Sequence, residues 1–158
     1  MNNKKLISKK IETLALNENW QNVYDFSKKF ISSFGISKKD IINILLSIEE
    51  IFVNIANYAY PEEAGKVSIK IDYIDFPEEF IITFEDYGIP FDPTKNKNPN
   101  IDSSPQERKV GGMGIYMVKN LMSSMYYEYS NKKNHLKMNK KIKWKGAKNY
   151  GNIGLFKN

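Results

Sequence analysis

The segment SIEEIFVNIANYAYP, Ser47 to Pro61, lies in a helix with one greasy side that needs an apolar layer beneath it. Ser37 with Asp40 three positions on forms a capping pair, and Pro61 stops the helix near Tyr60. Between them Ile41, Leu45, Ile48, Phe52, Ile55 and Ala59 fall on one face at about 100° per residue. The polar side is the puzzle. It carries Glu49, Glu50, Asn54 and Asn57, and asparagine weakens helix interiors by competing for backbone hydrogen bonds.

The rest of the chain supplies the other layer. Residues 9–17 alternate as a first strand, and Asn17 offers a cap for a helix bearing Trp20, Val23, Tyr24, Phe26, Phe30 and Phe34, which Gly35 ends. Val67, Ile69 and Ile71 alternate in a strand that pairs through a Pro77 turn with EEFIITFEDYG, a hairpin. Phe91, just beyond, is expected to plug the core beneath that turn. A polar stretch over residues 93–111 has the length of a functional lid or a disordered insert. GGMGIYMVKNLMSSM then opens a glycine-led helix with Ile115, Val118, Met122 and Met125 as its stripe, and YYEYSN and HLKMNKKI read as closing strands. Residues 1–142 are expected to form one domain, with 143–158 a basic tail.

Composition narrows the chemistry. The 158 residues are 41% hydrophobic, as expected for a folded domain and not a disordered chain. With no cysteine there is no disulfide framework, thiolate metal site or cysteine nucleophile, and the single histidine, His135, argues against a histidine metal cluster. The amino terminus lacks the apolar run of a secretory signal, and no later run approaches a membrane-spanning length, so a cytoplasmic protein without a membrane partner is expected. The net charge of +6 suits an anionic partner, but the lysines are spread along the chain. Nucleic-acid binding is therefore not the expected role.

Three segments could carry chemistry. Glu50 and Asn54, four apart, project side by side from the face opposite the apolar stripe, with Asn57 between them in angle and Glu49 about 100° away. An isolated pair of this kind is ordinarily a solvated face. Asp86 ends a strand and Gly88 follows two residues later, alone a common turn. Gly111, Gly112 and Gly114 open a helix, where backbone N–H groups can hold phosphate, though the spacing is neither a P-loop nor G-x-G-x-x-G. Arg108, the only arginine, precedes these glycines and could fork onto a phosphate, although a solvated loop charge is its ordinary reading.

In order, Glu-x-x-x-Asn on a helix, Asp-x-Gly after a strand, a long polar lid and Gly-x-Gly at a helix start resemble the Bergerat-fold (GHKL) ATPases over about Ile11 to Ile142. The runs EEIFVNIANYAYP and ERKVGGMGIYMVKNLM look most like the anti-sigma-factor serine/threonine kinases. The resemblance implies an α+β two-layer sandwich, a mixed, mainly antiparallel sheet covered on one face by about three helices. It implies ATP and Mg²⁺ as ligands, Glu50 as general base, Asn54 as metal ligand and Asp86 as acceptor for the adenine amino group. Gly88, Gly112 and Gly114 would allow close approach to base and phosphates; Asn57 and Arg108 join the nucleotide-binding set.

Some positions depart from that pattern. Tyr58 stands where some members have histidine, and Lys137 is read as occupying the place of a threonine on the last strand. The function implied is a protein kinase that phosphorylates a small anti-anti-sigma (STAS-type) partner and sequesters a sigma factor, with a homodimer common in this branch. The alternative of another class is a nucleotide-dependent protein-binding module without phosphotransfer.

Overall fold

The computed structural model describes residues 4–97 and 112–143. In chain order it contains β1 (Leu6–Leu14), a 3-10 turn (Asn17–Asn19), α1 (Trp20–Ser32), α2 (Lys38–Asn54), a π-helical turn (Ile55–Ala59), β2 (Lys66–Asp75) and β3 (Glu78–Asp86). A second 3-10 turn (Pro93–Lys95), α3 (Gly112–Leu121), β4 (Ser124–Ser130) and β5 (Lys133–Lys141) follow. The architecture is α+β, one sheet and one helical layer.

The five strands lie in the order β1-β2-β3-β5-β4, and every neighbouring pair is antiparallel. The register aligns Ile11, Ile69, Phe84, Leu136 and Tyr127 in one row across the sheet. A one-residue slip in any strand would turn its inward set outward, so the apolar face pins the register. Onto these rows pack Ile44, Ile48 and Phe52 of α2, Val23 and Ile31 of α1, and Ile115 and Val118 of α3, all buried. The opposite face is polar, with Glu12 and Lys66 paired at 3.0 Å. Beyond the last apolar row the register sets Asp86 beside Asn134, and that is where the site lies.

Local signals hold where partners are close in sequence. Asp40 N donates to Ser37 Oγ at 3.1 Å and Ser37 Oγ to Asp40 Oδ2 at 2.6 Å, the expected capping pair. Gly35 ends its helix at φ +63°, open to glycine and costly to other residues. Asn131 and Lys132, at φ 53° and 60°, turn the β4–β5 hairpin.

Other expectations shift. The first strand starts at Leu6 and ends at Leu14, because β2 continues to pair with it as far as Ile74 opposite Leu6. Asn17 does not cap α1; its Nδ2 donates to Asn57 Oδ1 at 2.7 Å. Ile44 and Ile51, outside the expected stripe, are buried as well, because α2 packs against α1 on one flank and α3 on the other. The helical stretch Lys38–Ala59, 22 residues long, contains an 18-residue window of mean hydropathy 1.3, so by length and composition alone it passes for a membrane span, contrary to the sequence expectation of no such run; the core helix of a soluble protein passes the same test. Its apolar face here lies on the sheet. The lid beyond Lys97 and the tail beyond Lys143 fall outside the described residues.

Candidate functional site

The site starts at the end of β3. Asp86 is 4% exposed and its Oδ1 accepts twice, from Gly88 N at 2.8 Å and from Asn134 Nδ2 at 2.8 Å. No hydrogen bond falls on Oδ2 among the described residues. Burial pushes the Asp86 carboxyl above its ordinary range, opposed by the donors from Asn134 and Gly88 and by nearby His135.

The turn after Asp86 is fastened to the end of α2. Ile89 N donates to Ala59 O at 2.9 Å, and a Cβ on Gly88 would stand 2.5 Å from that same oxygen, so only glycine fits. Tyr60 Oη accepts from Tyr87 N at 2.8 Å and donates to Lys66 O at 2.6 Å, bridging the turn to the start of β2. Gly65 leaves room for the Tyr60 ring, which a Cβ there would strike. The helix itself changes pitch at this point: α2 widens into the π-helical turn directly after Asn54. Such widenings are rare and gather at functional sites.

Between these pieces lies a cavity of about 210 Å³. Asn54 and Asp86 both line it, with Ile55, Ile89, Phe91 and Asn134 among the other walls. The Asn54 Nδ2 is buried and has no hydrogen-bond partner among the described residues, an unsatisfied state that costs free energy unless a further group completes it. One turn earlier on α2, the Glu50 carboxylate packs against Gly114, where any Cβ would collide with Oε2. Burial raises the Glu50 pKa and the charge of Glu49 adds to the rise.

Glu50 thus meets the first turn of α3 through Gly114, Asn54 meets Asp86 across the cavity, and Gly88 seats the turn. Gly112 begins α3 with nothing among the described residues within 4 Å of a Cβ. Asn57 does not join them: it is exposed, does not line the cavity and pairs with Asn17. Its expected angle assumed an α-helical pitch that the π-turn breaks. Arg108 lies outside the described residues. Phe91 is not a core plug; it is 52% exposed at the cavity edge.

Three residues were not read from the sequence. Asn134, and not Lys137, stands across the sheet from Asp86; Lys137 points to the exposed face. Alternation through Asn134, Leu136 and Met138 was the available signal, a polar residue heading an inward row. Tyr127 Oη donates to Asn134 Oδ1 at 2.6 Å. Lys119 Nζ donates to Thr94 O at 3.0 Å and to Asn96 O at 2.9 Å, fixing the short turn that carries Asn96 into the cavity wall.

A strand-end carboxylate, Asp86, and an asparagine at the entry to the π-turn, Asn54, thus line one largely apolar cavity. The family model of the histidine kinase-like ATPase domain matches residues 13–140, and the chain belongs to that family. Among solved structures it is similar to the RsbU and RsbW domains of Rv1364c from Mycobacterium tuberculosis, with a TM-score of 0.62 and 13% sequence identity. The match covers 86% of this chain and 32% of that one, so the chain spans about a third of its length. At this identity the likeness speaks to the fold alone. No curated protein matches the sequence.

Proposed function

We propose that the chain binds ATP with Mg²⁺ and acts as a protein serine/threonine kinase of the anti-sigma-factor type. The observation that carries the nucleotide reading is Asp86: both internal donors fall on Oδ1, which leaves Oδ2 as an acceptor beside the cavity that Asn54 also lines. Adenine offers an amino group there and guanine a carbonyl, which a carboxylate repels. The apolar walls Ile55, Ile89 and Phe91 suit the flat base.

Asn54 fits a magnesium-nucleotide. Its amide nitrogen is buried and unpaired among the described residues, and its carbonyl is a hard oxygen of the kind Mg²⁺ takes alongside phosphates and water. Among the described residues no three His, Asp or Glu side chains converge on a metal site of their own, which suits a cation arriving with the phosphates. Bound there, Mg²⁺ would neutralise phosphate charge. Glu50, on the same helix face and held against the start of α3, takes or orients the proton of an incoming seryl hydroxyl, and its raised pKa suits that task.

By resemblance, the hydroxyl belongs to a small STAS-type anti-anti-sigma protein and the competing client is a sigma factor. Phosphorylation adds about two negative charges at the contact and releases the antagonist. Calorimetric titration with ATP and GTP, with and without Mg²⁺, tests the site; magnesium-dependent preference for ATP is expected. Labelled γ-phosphate appearing on a serine of the partner then tests the transfer. ATP bound with no label reaching any protein would instead make the chain a nucleotide-dependent binding module.

A further inference from the structure

The Asn134 amide is filled by the chain's own groups. Its Nδ2 faces three acceptors, Asp86 Oδ1 at 2.8 Å and the carbonyls of Gly88 and Ile89 at 3.2 Å each. Its Oδ1 faces two donors, Tyr127 Oη at 2.6 Å and Phe91 N at 3.4 Å. Donors on one side and acceptors on the other allow one amide orientation, and the reverse would set carbonyl against carboxylate. The residue is 6% exposed, and these partners use its hydrogen-bonding capacity. Tyr127 Oη must be the donor in its bond, and burial raises its pKa, which keeps the phenol protonated.

We propose that Tyr127 and Asn134 form a relay that positions Asp86, leaving a single carboxylate oxygen to select adenine over guanine. The inference rests on the ATP reading above. Hydrogen bonds run in one direction, phenol to amide to carboxylate, and end on Oδ1. With Oδ1 occupied from behind, the carboxylate cannot rotate to share its contacts, and Oδ2 alone meets the base. Neither Tyr127 nor Asn134 is asked to touch the nucleotide; both are positioning residues.

The relay also sets when the selection works. Ionised Asp86 accepts from the adenine amino group, whereas protonated Asp86 can donate to the guanine carbonyl. ATP affinity therefore falls and GTP affinity rises as pH drops through the Asp86 pKa. The titratable groups around it are Tyr60 just past the π-turn, Tyr127 from β4 with Asp92 nearby, and His135 from β5. Removing the Asn134 donor lets burial raise that pKa further, so the crossover moves to higher pH.

The test measures ATP and GTP affinities from neutral pH down through the acid range in which the protein stays folded, for the wild type, Tyr127→Phe and Asn134→Ala, with thermal unfolding as a check on folding. At neutral pH the ATP preference is expected to fall about tenfold in Asn134→Ala, and by less in Tyr127→Phe, with the crossover moved upward in both. Unchanged preference and crossover in the folded variants overturn the relay, as does equal weakening of both nucleotides with the crossover unmoved. If Asn134→Ala does not fold, Tyr127→Phe decides alone, since it removes one oxygen and keeps the ring. A wild type that binds neither nucleotide overturns the ATP reading, and the relay falls with it; a wild type that prefers ATP beside unaltered variants sinks the relay only.

Discussion

Gly114 and Glu50 are in such close contact that a methyl group on the glycine would occupy the space of the glutamate Oε2. The helix α3 therefore begins with glycine for a reason besides phosphate approach: it seats the carboxylate of the facing helix. Gly114→Ala should displace Glu50 without unfolding the domain, because the obstructed atoms are the far end of a flexible side chain. Alanine also gains up to about 1 kcal/mol in helix propensity, which offsets strain. Thermal stability is expected within about 1 kcal/mol of wild type, while phosphotransfer falls by about 10²-fold, the cost of misplacing a reacting group by about 1 Å. Gly112→Ala, with nothing among the described residues within 4 Å of its Cβ, serves as the stability control. Gly114→Ala with full turnover would detach this contact from the mechanism.

The carboxylate pair on α2 predicts a pH profile. Burial and Glu49 both raise the Glu50 pKa, so the base is lost at a higher pH than an ordinary glutamate as the solution is acidified. The sign is fixed: activity is full above that pKa and falls below it. Glu49→Gln removes the like charge, and the acid limb of kcat/KM should move to lower pH with the plateau retained. Glu50→Gln should remove the limb and lower the plateau about 10²–10⁴-fold, with ATP still bound. An acid limb unmoved in Glu49→Gln would assign it to another group.

The turn that carries Asp86 is tied down by backbone, which makes Gly88 less forgiving than Gly114. A Cβ there meets Ala59 O and Ala59 Cβ, each at 2.5 Å, and neither can rotate away. Gly88→Ala should break the bond from Ile89 N to Ala59 O and cost about 1–3 kcal/mol in denaturant unfolding. Tyr60→Phe removes the acceptor for Tyr87 N and the donor to Lys66 O, for a loss of about 1–2 kcal/mol. In both, ATP affinity should weaken along with stability, since the turn and Asp86 move together. Unweakened ATP binding in a destabilised Gly88→Ala would separate the turn from the base contact.

What the sequence disclosed follows the distance between partners. The Ser37–Asp40 cap and the β2–β3 hairpin are decided within a few residues, so local pattern suffices. Asp86 and Asn54 stood out by their order and spacing with Glu50, Gly88 and the glycine-led helix, the pattern that carries the family resemblance. Asn134 lies 48 positions from Asp86 and meets it only through the β3–β5 register, which no local window contains. Lys119 reaches Asn96 across 23 positions in the same way. Asn57 lies off the cavity lining, and the helical wheel that set it beside Glu50 and Asn54 carried a uniform pitch past Asn54, where the backbone widens. Past the widening, Asn57 accepts from Asn17, the residue expected to cap α1.

Lys119 offers the last prediction. Its ammonium donates to Thr94 O and Asn96 O, carbonyls at the end of the 3-10 turn Pro93–Lys95, where a cation also complements the exposed C-terminal dipole. Asn96 lines the cavity, so the lysine holds one wall of the site from the neighbouring helix. Lys119→Met keeps the aliphatic stem and removes the charge and both bonds. Stability should fall by only about 1 kcal/mol, because the turn is peripheral to the core. The KM for ATP should rise several-fold while kcat holds, since Glu50 and Gly114 are untouched, and Lys119→Arg should restore part of the affinity. A fall in kcat with KM unchanged would mean that the turn acts on the transfer step, and the wall would then belong to the phosphate end of the cavity.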